Sequence, residues 1–434
     1  MKNTSSDFVI DYCHPFSHAI ISEKTRVMQA IKNFFSPKQL QNGFIVALCF
    51  SASLYLFHFE LTYYLFNSLI GLYTFYLLII SDKKTLLFAG FFIGLFWFYW
   101  IGFSFRYYDM AWAVPLVSLG FGLIYALVFW LVSLASHPLL RAGMLFLLSL
   151  FEPFDFNWLQ PELLFVHSYF GIEKWQFALI LLALSMTVMF KDKKGFLFLL
   201  FLLPALSFSE NEIKNHPLNI ALIQTDLDQA RKWNPYNASS IIKDNLGAID
   251  RAIDDNKDLI ILPESAFPMF LNRDLILIRK LKEKSRHISI LTGSLYYENQ
   301  HNFNASYFFQ DGEVQIAKKM VLVPFGEYIP LPSFLARPIN KAIFGGASDY
   351  LSASKPSDFD IKGFKFRNAI CYEATCHELY EGHPSFMIAT SNNAWFAPSI
   401  EPSLQKLLMQ FYAKKHNTII FHSANSAGGG IIYP

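Results

Sequence analysis

The stretch "NAICYEATCHEL", residues 368–379, ends a short apolar run with Cys371 and follows it directly with Tyr372 and Glu373. A second cysteine, Cys376, lies about one helical turn further along the chain. A cysteine at the end of a buried strand is a nucleophile, half of a disulfide bond or a small core residue without chemical function. The rest of the sequence bears on which of these alternatives applies.

The composition indicates two unlike halves. Of 434 residues, 53% are hydrophobic and only 16% are charged, which is too apolar for an ordinary soluble protein and too charged for one embedded throughout. The formal net charge of +2, without a basic run interleaved with aromatic residues, gives no argument for a nucleic-acid partner. Four scattered cysteines exclude a disulfide scaffold, and no pair of C-x-x-C units suggests a metal site.

Residues 42–209 are predicted to form a helical bundle in a membrane. Several apolar stretches in this region contain no charge over ~20 residues, the length that a helix needs to cross a bilayer. Short charged segments separate these stretches. They suggest about seven spans, at 43–58, 61–81, 85–105, 110–135, 142–151, 175–190 and 195–208.

The strongly basic loops all lie on one side of this predicted bundle. They precede the first apolar stretch and follow the second, fourth and sixth: Lys24, Arg26, Lys32, Lys38, the "DKK" at 82–84, Arg141 and the "KDKK" at 191–194. By the positive-inside rule, that side faces the cytoplasm. We therefore predict that residues 1–41 form a cytoplasmic segment and that the chain after the seventh span is extracytoplasmic.

From Pro217 onward the pattern changes to that of an α/β domain. Strands rich in Ile and Leu are predicted at 218–224, 258–264, 288–297, 366–373, 385–392 and 417–425. Helical patterns occur at 238–255, 272–285 and 402–415. Strands that alternate with helices imply a layered domain whose functional polar residues gather at the strand ends.

Three chemically versatile side chains stand at such ends. Glu264 closes "DLIILPE", Lys319 or its neighbour Lys318 opens "KKMVLVPFGEYIP", and Cys371 closes "FRNAI". The glutamate can remove the thiol proton, the thiolate can attack a carbonyl, and the lysine can stabilise the resulting oxyanion. A nearby ammonium group is also expected to lower the pKa of the cysteine. Singly, the residues also fit a helix cap, a solvated lysine and a core cysteine.

The order of the local motifs resembles that of the nitrilase superfamily, whose members use a Glu, Lys, Cys triad on an αββα sandwich. These motifs are "PES" at 263–265, "LVPFGEYIP" at 322–330 and "ICYE" at 370–373. With "SNNAWF" at 391–396, they look like the apolipoprotein N-acyltransferases, the branch with a polytopic membrane bundle before its nitrilase-like domain. The resemblance extends from "GFFIGLFWFYWIGFSF", residues 90–105, to the end of the chain. Members commonly continue into further strands and a final membrane helix, whereas this sequence ends at Pro434 as a short form or an incomplete sequence.

The resemblance implies a nitrilase-like catalytic domain at 217–434 with Glu264 as general base, Lys319 as oxyanion-stabilising lysine and Cys371 as nucleophile. Lys319 is preferred over Lys318 because the family lysine stands three residues before the Leu of "LVPFGE".

Supporting residues follow from the same resemblance. Glu327 matches the glutamate that supports the lysine and the tetrahedral intermediate. Tyr372 and Glu373 match the residues beside the nucleophile, where the backbone supplies an oxyanion-hole N–H and the glutamate orients the lysine or an incoming amine. Trp233 in "QARKWNPYN" resembles the tryptophan of a substrate-binding loop at the cleft entrance.

The activity implied by the resemblance is transfer of a fatty acyl chain from a membrane phospholipid, usually phosphatidylethanolamine. The acceptor is the α-amino group of the N-terminal S-diacylglyceryl-cysteine of an apolipoprotein, and the intermediate is a thioester on Cys371. The implied location is a bacterial inner membrane with a periplasmic catalytic domain, and no metal or organic cofactor is required. The alternative is a membrane-tethered nitrilase-type amidase acting on a small amide or nitrile; a non-catalytic binding module is a third.

The two cysteines of the opening stretch then separate in role. A disulfide between Cys371 and Cys376 would block the thiol that Glu264 and Lys319 are expected to activate. Cys376 is therefore predicted to be a small buried residue that points away from the cleft.

Overall fold

The computed structural model describes residues 37–190, 194–208, 218–343 and 349–434. In these ranges, apolar helices come first and two β-sheets with flanking helices follow. Most of the predicted cytoplasmic segment, residues 1–36, lies outside the described residues, so its placement stays a prediction.

Within residues 37–190, the structure describes six α-helices: α1 Pro37–His58, α2 Tyr64–Ile80, α3 Lys83–Phe98, α4 Val114–Ser133, α5 Pro138–Leu148 and α6 Lys174–Met189. The 3₁₀ segment Tyr99–Tyr108 continues α3, and a second one, Gly195–Leu202, follows α6. Glycines allow α3 to approach α4 closely, because a Cβ at Gly90 would lie 2.2 Å from the carbonyl oxygen of Tyr125.

The expected count of about seven spans is not confirmed. Within the described residues, three helical stretches are long and apolar enough to cross a membrane: Pro37–His58, Lys83–Tyr108 and Ala111–Ser133. Helix α5 has 11 residues and is about 16 Å long, roughly half of a bilayer core. Apolar composition alone does not separate a spanning helix from one packed against its neighbours, as α2 and α6 are through Phe75 and Phe177.

The C-terminal half contains two sheets. The strands are β1 Ile220–Leu222, β2 Leu259–Ile261, β3 Phe267–Phe270, β4 Ser289–Glu298, β5 His301–Gln310, β6 Glu313–Lys318, β7 Asp358–Ile361, β8 Phe364–Ile370, β9 Phe386–Asn392, β10 Ile419–Asn425 and β11 Gly430–Ile432. The helices are α7 Gln229–Lys232, α8 Ala238–Asp254, α9 Leu275–Lys284, α10 Ser333–Ile343 and α11 Glu401–His416. Each strand and helix predicted after residue 217 coincides with one of these elements.

The sheets have related topologies. The first runs β1-β2-β4-β5-β6, with β3 also pairing with β4, and the second runs β11-β10-β9-β8-β7. Strands β1, β2 and β4 are parallel, as are β8, β9 and β10, so each sheet carries a set of carboxyl ends along one edge. Functional groups gather at such edges.

The two sheets face each other between helices, which gives the expected αββα sandwich. Successive residues of β2 point to opposite faces of the sheet. Ile261 packs in the core between the two sheets, and Ile260 packs against α8 and α9. On the far side, α11 covers the second sheet through Leu404 and Leu408. Strands covered on both faces are continuously apolar, which explains the Ile- and Leu-rich runs of the sequence.

Helix α11 also joins the sandwich to the membrane bundle, because its buried residues belong to the same apolar cluster as those of α1 to α6. Polar contacts fix this junction: His58 Nδ1 lies 2.8 Å from Ser403 Oγ, and Gln160 Nε2 donates to the Tyr412 hydroxyl at 3.1 Å. The α/β domain therefore rests on the bundle through the helix that backs its second sheet.

Candidate active site

The three side chains predicted at strand ends converge in one buried cluster. Glu264 follows β2, Lys319 follows β6, and Cys371 directly follows β8. Lys319 interacts electrostatically with both Glu264 and Cys371, and Glu264 interacts with Cys371. Glu264 is 8% exposed and Lys319 only 1%. The facing edges of the two sheets thus bring a carboxylate, an ammonium and a thiol together away from bulk water.

Cys371 occupies a strained backbone position. Its φ of 55° lies in the left-handed region, which non-glycine residues adopt rarely and at a cost of roughly 1–3 kcal/mol. It begins the 3₁₀ segment Cys371–Thr375, so the chain turns sharply at the end of β8. The half-buried Sγ accepts a weak hydrogen bond from Gln405 Nε2 at 3.7 Å. The turn places the thiol at the edge of the sheet.

Glu373 holds this turn in place. One carboxylate oxygen accepts from the backbone N–H of Ile370 at 2.7 Å, and the other accepts from Met320 and Val321 at 2.8 and 3.1 Å. Burial raises the pKa of Glu373 to about 7, while Lys319 and the three N–H donors act in the opposite direction. One carboxyl group therefore ties the cysteine turn to the segment that follows Lys319.

Lys319 is fixed by an ion pair with Glu327, at 2.7 Å between Nζ and Oε2. Burial opposes the charged ammonium, but Glu327 and Glu264 outweigh it, and the pKa of Lys319 lies above its usual value. Lys318 instead pairs with Glu298 on the other side of the strand end. Of the two lysines considered from sequence, the geometry favours Lys319.

Asn304, on β5, connects the two carboxylates around the lysine. Its Nδ2 donates to Glu264 Oε1 at 2.7 Å and to Glu327 Oε1 at 3.2 Å. The neighbouring strand passes so closely that a Cβ at Gly293 would lie 2.6 Å from the Glu264 Cα, so this position requires glycine. Glu264 is thereby held from two directions.

Lys319 lowers the pKa of Cys371, as expected of a nearby ammonium, but it does not bring the pKa below its usual value. Burial raises the pKa of the Cys371 thiol well above its usual value, Glu264 raises it further, and Lys319 opposes this only in part. Because the thiol remains protonated, a base must take its proton during the reaction rather than beforehand.

Two exposed aromatic side chains lie in the segment that follows Lys319. Phe325 and Phe334 are exposed to 45% and 71%, and the Phe325 ring makes an edge contact with Phe154 of the bundle at 5.7 Å. Exposed aromatic rings beside a membrane bundle suit a surface at the membrane–water interface. Within the described ranges, no group of three or more His, Cys, Asp or Glu residues is arranged to hold a metal ion.

Comparison with known proteins identifies the family. Residues 37–208 match the apolipoprotein N-acyltransferase integral membrane domain. An apolipoprotein N-acyltransferase from Wolinella succinogenes is 43% identical over 95% of this chain and 100% of that protein. The chain belongs to the apolipoprotein N-acyltransferase family. The enzymes of the same name from Helicobacter hepaticus and Helicobacter pylori are 39% and 36% identical, covering 85% and 91% of this chain and 93% and 96% of theirs.

Membership of this family makes the chain a bacterial integral membrane protein and an acyltransferase. The amidase alternative finds no better support. Among solved structures, a CN-hydrolase superfamily protein from Xanthomonas campestris is 16% identical, covers 49% of this chain and 77% of that one, and has a TM-score of 0.36.

Tyr372 and Trp233, which the family resemblance singled out, differ in exposure and contacts. The Tyr372 ring is 3% exposed and stacks on Phe156 and Trp158 of the bundle at 6.2 and 6.1 Å, so it anchors the turn rather than facing the cleft. Trp233 is 37% exposed at the rim. With its amide oxygen turned toward them, Gln229 accepts from the indole nitrogens of Trp233 and Trp395.

The other cysteine of the opening stretch is separate from this chemistry. Cys371 and Cys376 are both free, which excludes the disulfide between them. Cys376 is 3% exposed, and its Sγ donates to the Tyr372 carbonyl at 3.5 Å. The prediction of a small buried residue is confirmed.

Several residues of the cluster were not found from sequence. Lys232, directly before Trp233, is 2% exposed and donates to the Glu264 carbonyl oxygen at 2.9 Å. Burial lowers its pKa to about 8, against Glu264 and Cys371, which raise it. Asn304, Glu401 and Gln405 join the cluster from β5 and α11. In the sequence, these residues are marked only as polar residues near apolar ones. Many residues with a purely structural role share that feature, so it does not identify members of the site.

Proposed function

We propose that this protein transfers a fatty acyl chain from a membrane phospholipid to the α-amino group of the N-terminal S-diacylglyceryl-cysteine of an apolipoprotein. The observation that carries the proposal is the cluster of Glu264, Lys319 and Cys371, in a chain of this family. The intermediate is a thioester on Cys371.

In the first half-reaction, Glu264 takes the proton of Cys371 as Sγ attacks the carbonyl carbon of the acyl ester. The ammonium of Lys319, held by Glu327, stabilises the oxyanion together with the backbone N–H of Tyr372, at the first turn of the 3₁₀ segment. The C–O bond then breaks, and Glu264 gives its proton to the leaving lysophospholipid oxygen. The acyl chain stays on Sγ.

In the second half-reaction, the acceptor amine replaces the lysophospholipid. Glu264 takes one proton from the incoming ammonium, and the nitrogen attacks the thioester carbonyl. When the tetrahedral intermediate collapses, the C–S bond breaks and Sγ takes the second proton from nitrogen. The product is an amide, the thiol of Cys371 is restored, and Glu264 returns to the carboxylate by releasing its proton to solvent.

The proposal extends to orientation and donor. We assign residues 1–41 to the cytoplasm, 42–209 to the inner membrane and 217–434 to a periplasmic catalytic domain. The two ends of α1 support this orientation, because Lys38 lies at one end and His58 at the other contacts Ser403 of the α/β domain. Phosphatidylethanolamine is the proposed acyl donor.

A Cys371→Ala strain with no other source of the activity tests the proposal. Mass spectrometry of lipoprotein N-termini is expected to find only the diacylated form with a free α-amine, whereas a Cys49→Ala control keeps the triacylated form. Triacylated lipoproteins in the Cys371→Ala strain would contradict the proposal. An amidase would instead leave lipoprotein processing unchanged in both strains.

A further inference from the structure

Glu401 is a buried acid that the mechanism above does not use. It is the first residue of α11 and is only 1% exposed. Its Oε2 has no hydrogen-bond partner among the residues that the structure describes. Burying a carboxyl oxygen without a partner is costly, so such groups are uncommon and point to a missing ligand or a functional role.

The position of Glu401 on α11 directs it toward the nucleophile. Residues four apart share one face of a helix, and Gln405, four residues further on, contacts Cys371 Sγ at 3.7 Å. Glu401 interacts electrostatically with Cys371 and with Glu264. The first turn of α11 therefore lines the site beside the thiol.

The charges of the cluster leave one carboxyl group unmatched. Its acids and bases are Glu264, Glu327, Glu373 and Glu401 against Lys319 and Lys232. Asn304 satisfies Glu264, Lys319 pairs with Glu327, and three backbone N–H groups bind Glu373. Burial, with Glu264 adding to it, raises the pKa of Glu401 well above its usual value, which disfavours the charged form while no cation is beside it.

We propose that Glu401 binds the primary ammonium group of the acceptor and places its nitrogen beside the Cys371 thioester. The inference rests on the proposed function and adds a substrate-binding residue to it. An arriving ammonium favours the ionised carboxylate, so Glu401 releases its proton to solvent and then forms the charge-assisted hydrogen bond that Oε2 lacks. The ammonium passes one proton to Glu264, and the freed nitrogen attacks the thioester.

A primary ammonium also occurs in the head group of phosphatidylethanolamine, so the experiment must separate donor from acceptor. Purified full-length protein and its Glu401→Gln variant are each incubated with phosphatidylethanolamine or with phosphatidylglycerol, which has no ammonium. The rate of thioester formation on Cys371 is measured by mass spectrometry. A synthetic diacylated lipopeptide with a free α-amine is then added to the acyl-enzyme.

The variant is expected to form the thioester within about twofold of the wild-type rate with either lipid. Its aminolysis by the lipopeptide is expected to fall at least tenfold, mainly through a higher KM for the lipopeptide, because the ammonium loses its charged partner. Cleavage of the same thioester by hydroxylamine, which is neutral, should be unchanged. Glu401→Asp keeps the carboxylate and should recover part of the lost aminolysis; Glu313→Gln, at an 84% exposed site, should change nothing.

Other outcomes would overturn the inference. A loss of thioester formation with phosphatidylethanolamine alone would assign Glu401 to the donor head group. Equal losses in both half-reactions, or failure of the variant to load either lipid, would assign it to structure, and unchanged aminolysis would remove its role. If the wild-type protein formed no thioester with either lipid, the proposed function itself would fail. The wild-type measurement therefore tests the proposed function separately from the role of Glu401.

Discussion

Glu373 accepts a hydrogen bond from the backbone N–H of Ile370, the residue immediately before Cys371, at 2.7 Å. Its second oxygen binds the two N–H groups that follow Lys319. The side chain that maintains the positive φ of Cys371 therefore also fixes the backbone directly after Lys319. We infer that Glu373 positions both groups and does not itself need to touch substrate.

Glu373→Gln should slow both half-reactions equally, because it loosens the nucleophile and the lysine together. The amide keeps one acceptor oxygen and replaces the other with a donor that faces N–H groups, so a loss of about 10²-fold in kcat is expected. Single-turnover acylation and aminolysis measure the two steps. A defect confined to aminolysis would contradict a positioning role and distinguish this residue from Glu401.

The thiol of Cys371 should react slowly with iodoacetamide at neutral pH, since its pKa is raised by burial and by Glu264. Glu264→Gln removes a negative charge and should shift the alkylation profile toward lower pH, whereas Lys319→Met should shift it toward higher pH. Peptide mass spectrometry separates Cys371 from the other cysteines. Identical profiles in the two variants would show that neither group senses the thiolate.

Removal of the Asn304 side chain should reduce activity less than its replacement by an acid. Asn304→Ala removes the two hydrogen bonds to Glu264 and Glu327 and is expected to lower kcat/KM by about tenfold. Asn304→Asp is isosteric but places a third carboxylate between those of Glu264 and Glu327, so it should lower kcat/KM further than Asn304→Ala does. It should raise the optimum pH of the steps that depend on Lys319 only slightly. Equal activity of the two variants would remove the bridging role.

Lys232 should make stability depend on alkaline pH. Its pKa falls from about 10.5 unfolded to about 8 in the folded protein, so its stabilising contribution is present above pH 10.5 and is lost as pH falls through 8. Relative to Lys232→Met, the wild-type protein should gain apparent Tm between pH 8 and 10. The exposed Lys365→Met is the matched control, and its difference from wild type should not vary over this range.

The sequence placed Glu264, Lys319 and Cys371 at strand ends, and the family resemblance implied their convergence, which the facing edges of the two sheets produce. It did not predict Asn304, Lys232 or Glu401, since each reaches the cluster from an element whose approach depends on tertiary packing. Strand β5 and the hairpin that joins it to β6 were also missed. Asp311 and Gly312, at φ of 53° and 81°, form the turn that an Asp-Gly pair favours, so that signal was present.

The count of about seven spans is not confirmed, for a different physical reason. Apolar runs in the first half belong both to helices long enough to cross a bilayer and to shorter ones that pack within the bundle. Hydropathy measures how far a residue avoids water and not which apolar surroundings it enters. By length and composition, the described helices are long and apolar enough to cross a membrane in three places.

Helix α11 touches the membrane bundle along one side and the Cys371 turn at its first residues. Tyr372 reinforces the same connection from the turn itself, through its stacking on two bundle aromatics. In a fragment that begins at residue 218, the apolar side of α11 that faces the bundle would therefore be exposed to water. The turn that carries Cys371 would also lose its packing against the bundle. The membrane bundle is therefore more than an anchor, because it supports the structure that holds the nucleophile.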